Sequence, residues 1–418
     1  METPHFNTYR WIRIALFNFF ILAIAGLVLR YKINFPLPLL NQKFLLHGHS
    51  HFAFVGWVTV ALMALMVNYL VSQGTQTNYK KYDWLLVANN ITAYGMLFTF
   101  MAQGYALSSI TFSSLSILVS YVFIYNYWKD LRKIKNEQHT LCWFRAALIL
   151  WALSSAGAFT LAYLMVNAVK VQDYFFAAIY FFLHFQYNGW FIFACFGLLS
   201  AFFNIRYQPT LAKLNKKLFI LLAITVVPTY LLSLLWLQLP AALYWTGTVS
   251  AFVQLTALLY LVKFFKYIKN HLLHPLSIAT RYLWYLAFIC FLLKVVLQCL
   301  STVPYFSSFA FGFRPIVIAY LHLCFLGIIS FFIIGYFNAC FPQGQSLSKY
   351  GVKLFILGVI LQEIVLMIQG LEMMGLHFLA HSQLILFVLA AMIGAGLALM
   401  AFKSGQKKST ANNIHSGH

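Results

Sequence analysis

Leu46-His47-Gly48-His49-Ser50-His51-Phe52-Ala53-Phe54-Val55-Gly56-Trp57 places three histidines at alternate positions and then runs straight into a long apolar segment. Its second half recurs. His51-Phe-Ala-Phe-Val-Gly56 is echoed by His184-Phe-Gln-Tyr-Asn-Gly189 and by His322-Leu-Cys-Phe-Leu-Gly327. Each copy is a histidine, an aromatic at the third following residue and a glycine at the fifth. The copies lie 133 and 138 residues apart (51 to 184, 184 to 322). One His with a Gly five places on arises by chance roughly once in this composition. Three at near-even intervals read as internal repetition.

The surrounding chain decides what such repeats are embedded in. Of its 418 residues 62% are hydrophobic and 8% charged, against roughly 25% charged in a soluble domain. Apolar runs of about 20 residues, each able to cross a hydrocarbon core of about 30 Å, recur along nearly the whole length. We read twelve: about 11–29, the histidine cluster to Ser72, 84–103, 107–128, 142–168, 173–203, 218–238, 241–265, 282–301, 315–337, 353–371 and 377–402. The expected fold is an all-α polytopic membrane protein, with residues 1–402 one transmembrane domain and the polar stretch 403–418 a disordered tail. Spans 3 and 4 are joined at Gln103-Gly104-Tyr105, which makes them antiparallel neighbours.

The net charge of +21 suggests nucleic-acid binding until the cations are placed. Twenty-two of the twenty-eight Lys and Arg fall in one set of alternate loops, five (Arg30, Lys32, Lys43, Lys170, Arg314) in the other set, and Lys294 within a span. That bias is the positive-inside rule. It places both termini in the cytoplasm, names the bilayer as the partner and excludes nucleic acid. The six cysteines stand singly, mostly inside spans, and read as small apolar residues.

With twelve spans the three repeats open spans 2, 6 and 10, four helices apart. Their histidines stand roughly 16 to 22 residues, or about 24 to 33 Å, above the cytoplasmic helix ends, in the outer half of the membrane. The sequence thus reads as three four-helix units, each with one histidine at matched depth. A histidine there either hydrogen-bonds a neighbouring helix or marks a pathway or ligand, and imidazole commonly ligates haem iron and copper. Residues four apart share a helix face, so His47 and His51 point one way and His49 another. His51 carries the repeat and is the candidate ligand; His47, and the pair His377 and His381 entering span 12, are candidate metal ligands near the surface. The glycines, five places on, fall off the histidine face and suit close packing. Lys294 and Glu363 reach similar depths on spans 9 and 11, which predicts a buried ion pair or a proton-transfer element. Arg314 ends span 10 on the outside.

Three arcs of four helices, with histidines on spans 2, 6 and 10, resemble subunit I of the haem-copper oxidase superfamily. The resemblance implies a b-type haem held by His51 and His322, with copper, or a second haem, at His184. It differs at three points: Leu218 to Gln238 holds no histidine, span 10 holds one histidine, and Tyr187 follows His184 at the third place, not the fourth. The chain is also similar in outline to the NnrS-type membrane proteins associated with resistance to nitric oxide. The implied function is electron transfer to, or binding of, a diatomic gas (nitric oxide or oxygen), with quinol or cytochrome c as donor, in a bacterial inner membrane. If it turns over, the protein is an oxidoreductase. A proton- or metal-ion-coupled transporter without haem, and a non-catalytic scaffold or sensor of the same fold, are the alternatives.

Overall fold

The computed structural model describes residues 6–340, 347–372 and 379–402, and every regular element among them is helical. The long helices are α1 (Thr8–Asn34), α2 (Gln42–Ser72), α3 (Lys80–Gln103), α4 (Leu107–Leu131), α5 (Gln138–Val166), α6 (172–202), α7 (Pro209–Val226), α8 (Ala241–His271), α9 (Ile278–Leu300), α10 (Arg314–Cys340), α11 (Lys349–Glu372) and α12 (Ser382–Phe402). Ten of these, all but α6 and α7, are long and apolar enough to cross a membrane, so the chain is a polytopic membrane protein. Helix α6 matches α2 in length, but His184, Gln186 and Asn188 at its middle dilute its apolar character. Helix α7 stops at Val226 and continues as a 3-10 turn, Pro228–Leu234, bent by 50°. Pro228 has no N–H to extend the α ladder.

Local chemistry sets the ends. Asn7 Oδ1 accepts from Arg10 N–H at 2.9 Å and starts α1. That helix runs beyond the expected Leu29 to Asn34 and carries Arg30 and Lys32 within it. Long cationic side chains can bury their stems and lead their charged heads to a helix end, and Lys32 Nζ donates to the Leu37 carbonyl at 2.6 Å. The basic stretch expected as a loop, Arg206 to Lys217, is helical from Pro209, which stands at the first helical position where no N–H is needed. A short helix, Pro304–Gly312, was not foreseen and precedes α10.

Consecutive helices are neighbours all the way round, and α12 packs on α1, so the bundle closes on itself. At the basic end, buried Asp130 of α4 pairs with Lys81 at 2.6 Å and Lys133 at 2.8 Å and accepts from Tyr82 and Thr77. Arg206 meets Glu137 at 2.7 Å.

The interior belongs to α2, α6 and α10. Each passes into a π-helical segment just after its motif histidine: Ala53–Thr59, Phe185–Phe191 and Leu323–Ser330. Well under 1% of residues in soluble proteins are π-helical, and such turns concentrate at functional sites. The three segments touch. Phe54 lies 4.6 Å from Phe325 and 5.8 Å from Phe191, and Phe325 lies 6.3 Å from Tyr187. Phe54, Tyr187 and Phe325 are the repeated aromatics of the motif. Trp57 Nε1 donates to Ser330 Oγ at 2.9 Å across the same junction. The wide turn of α2 also offers carbonyls to its neighbours: Gly56 accepts from Asn18 at 2.7 Å and Val55 from Asn89 at 3.0 Å.

Two motif glycines mark close helix contacts, since a Cβ at Gly189 would lie 2.9 Å from Leu150 and one at Gly327 would lie 2.8 Å from Cys290 Sγ. At Gly56 the obstacle is the Phe52 ring of the same helix. Truncating the shared aromatic, Phe54→Ala, is expected to cost about 3 kcal/mol. Thermal unfolding in detergent should show a clear fall, with little change for Phe98→Ala at an exposed position.

Candidate functional site

The histidine cluster divides by face as helix geometry requires. His47 and His51 both turn toward Phe100 and Tyr105. The His51 ring stacks on Phe100 at 4.3 Å and 5°, and its Nε2 is 3.5 Å from Tyr105 Oη. His47 meets Tyr105 edge-on at 4.8 Å. His49 faces the other way, toward α1, so closely that a Cβ on Gly26 would lie 3.1 Å from its Cε1. The member within electrostatic reach of His322 is therefore His49, not the His51 that the repeat singles out.

Across from it stands His322 of α10. Its Nδ1 is 3.2 Å from Gln362 Nε2 and 3.7 Å from Glu363 Oε1, both on α11. The amide can be turned without changing the fit, so the contact also suits a proton on Nδ1. Nε2 of His322 makes no hydrogen bond among the described residues. Arg30 and His49 lie within its electrostatic reach, and Glu363 lies within that of Arg30. Nδ1 of His49 and Oε1 of Glu363 are buried without a hydrogen-bond partner. The structure thus gathers Arg30, His49, His322, Gln362 and Glu363 from α1, α2, α10 and α11.

His51 and His322 are not brought together. Nor are Lys294 and Glu363, whose expected ion pair is absent. Lys294 is 3% exposed and makes no hydrogen bond or ion pair among the described residues. Its Nζ lies 5.6 Å from the centre of the Phe291 ring, and its electrostatic neighbours are Cys324 and His184. Lys294 and Glu363 both come within electrostatic reach of Cys324 on α10, but the carboxylate lies against His322 and the lysine against Phe291.

His184 is fully engaged. Nε2 donates to the Val226 carbonyl at 2.7 Å, and Nδ1 accepts from Asn188 at 3.1 Å. Val226 ends α7 at the Pro228 break, where its carbonyl has lost its regular helical partner. His184 closes that gap. His381 is exposed and begins α12, its carbonyl accepting from Leu384 and Ile385. His377 lies outside the described residues. Among those described, no three His, Cys, Asp or Glu side chains are placed to share a metal ion.

The donor set fits one haem and not a copper at His184. An axial pair needs two imidazole nitrogens free of other partners, and His322 Nε2 and His49 Nδ1 meet that condition. A carboxylate or amide behind Nδ1 is the usual support for a ligating histidine, and α11 supplies both. His184 has neither nitrogen to spare. Arg30 and Gln362 entered no sequence argument as site residues; a cation inside the last turn of an apolar helix and a Gln-Glu pair in mid-span were the available signals.

Compared with known proteins, the chain matches no protein-family model and no curated protein.

His184→Ala should leave the Val226 carbonyl with only the 3.3 Å bond from Thr229 Oγ1 and take from Asn188 its ring-nitrogen partner, and cost about 1 to 3 kcal/mol. The check is thermal unfolding together with elemental analysis: stability falls while iron and copper content stay at the wild-type level.

Proposed function

We propose that this chain is a haem-binding membrane protein of haem-copper oxidase type, carrying electrons to, or binding, a diatomic gas such as nitric oxide or oxygen. The observation that carries the reading is the convergence of His49 and His322, each with a buried or open ring nitrogen that no protein group uses. In this reading α6 and the bent α7 also cross, giving twelve spans in three arcs, with both termini on the basic, cytoplasmic side of a bacterial inner membrane. The three π-helical turns at equivalent places support the threefold arrangement. Quinol or cytochrome c is the donor.

A b-type haem held by His49 and His322 would supply an iron able to take up one electron and bind a small gas. The chain's own residues do the rest. Gln362 holds Nδ1 of His322, with Glu363 beside it at 3.7 Å, and so leaves Nε2 as the nitrogen for a ligand. Gly26 lets His49 lie flat against α1. Arg30 offsets the charge of Glu363, and the aromatic junction beneath excludes water. His184, with both ring nitrogens engaged, is left out of the metal set in this reading, which takes one haem as the cofactor.

One observation favours the second reading, a proton-coupled transporter without haem: Lys294 is a buried, unpaired cation in mid-helix, the kind of residue that marks a proton route. An absorption spectrum separates the two. Protein made with ample haem should show a Soret band, and His49→Ala and His322→Ala should each lose the six-coordinate reduced spectrum, while His51→Ala keeps it. A wild type without a Soret band would eliminate the haem reading. Loss in His51→Ala with retention in His49→Ala would return the ligand to His51.

A further inference from the structure

Beside the histidine site, Arg30, Lys32 and Arg314 line a cavity of about 490 Å³ together with Gln42, Gln369 and Gln383. No carboxylate lines it. Arg314 makes no hydrogen bond or ion pair among the described residues, and Arg30 reaches only Gln383, at 3.5 Å. Glu363 is the one carboxylate within electrostatic reach of Arg30, and Arg314 repels it. The chain concentrates its cations at the opposite end and leaves five on this side, of which three converge here. Lys32 is met by the Leu37 carbonyl and Arg30 by Glu363, which leaves three cations to one carboxylate, and that surplus in an apolar protein calls for an anion from outside.

Two further features describe that anion. Gln42 Oε1 is buried and has no partner, so it asks for a donor, which a bare phosphate or carboxylate does not offer. Lys32 and Gln42 also line an adjoining cavity of about 670 Å³, whose other walls include Leu40, Phe44, Phe98 and Met101. The charged chamber therefore continues past Asn41 along Pro38, Leu40, Phe44 and Met101, and Phe98 is 62% exposed at its edge. We infer that the paired cavities hold an anionic amphiphile: a phosphate headgroup with a hydroxyl donor between Arg30, Arg314 and Gln42, and its chain along Phe44, Phe98 and Met101. The site is independent of the haem reading.

The test is native mass spectrometry of the full chain purified in detergent, titrated with phosphatidylglycerol or phosphatidylcholine of equal chain length. Wild type should retain phosphatidylglycerol preferentially. Arg314→Gln should weaken that preference about tenfold, the worth of one charge-assisted hydrogen bond, and Lys32→Gln should weaken it as well, which keeps the test open if either variant fails to fold. Lys170→Gln, an exposed cation outside the cavity, should leave it unchanged. Competition by inorganic phosphate as strong as by lipid would overturn the amphiphile in favour of a simple anion. Equal binding of both lipids, or a preference untouched by Arg314→Gln, would overturn the site altogether. If Arg314→Gln instead weakened a Soret band and left lipid binding intact, the cavity would belong to the cofactor. A wild type that prefers phosphatidylglycerol but has no Soret band would refute only the haem reading.

Discussion

The contact among Phe54, Tyr187, Phe191 and Phe325 is the constraint on which the rest of the bundle depends. Within a membrane there is no water to drive helices together, so association rests on close packing and on hydrogen bonds between helices. Here both are concentrated where three π-helical turns meet. A π turn widens the helix, exposes carbonyls and gives up regular hydrogen bonds. It persists only where its surroundings compensate. Asn18 and Asn89 take up the carbonyls of α2, and the Trp57 to Ser330 bond ties α2 to α10.

That junction positions the chemistry above it. Each motif histidine sits at the threshold of a π turn, so its direction is set where the helix changes pitch. The three are used differently. His322 is backed by α11 and keeps one nitrogen free. His184 is spent on the Val226 carbonyl, whose regular donor, the Tyr230 N–H, turns to Val227 at the α7 break. On α2 the repeated histidine turns onto buried Phe100 of α3, and its neighbour two residues earlier faces α1. Three histidine-bearing helices thus carry one asymmetric cluster, between α2 and α10, with α1 and α11 supplying its charge.

Much of the frame was legible in the sequence. Apolar runs and the distribution of Lys and Arg give an all-helical membrane protein, and Pro228 marks the break in α7. The shared face of His47 and His51 follows from helical spacing and holds in the structure. What failed was azimuth. Counting residues puts Lys294 and Glu363 at one depth but does not say which neighbour each meets, and the carboxylate meets His322 while the lysine meets Phe291. The choice of His51 over His49 rested on the repeat, and the repeat encodes the junction aromatics at least as much as the histidine. Nothing local announces a π turn, because its hydrogen bonds depend on partners such as Asn18 on another helix.

The central claim is that His49, rather than His51, shares the interior with His322. Its most direct test is thiol cross-linking in a chain whose six native cysteines are replaced. Cysteines at 49 and 322 should be joined by a short bifunctional reagent, and cysteines at 51 and 322 should not. Cross-linking of the second pair without the first would contradict the account.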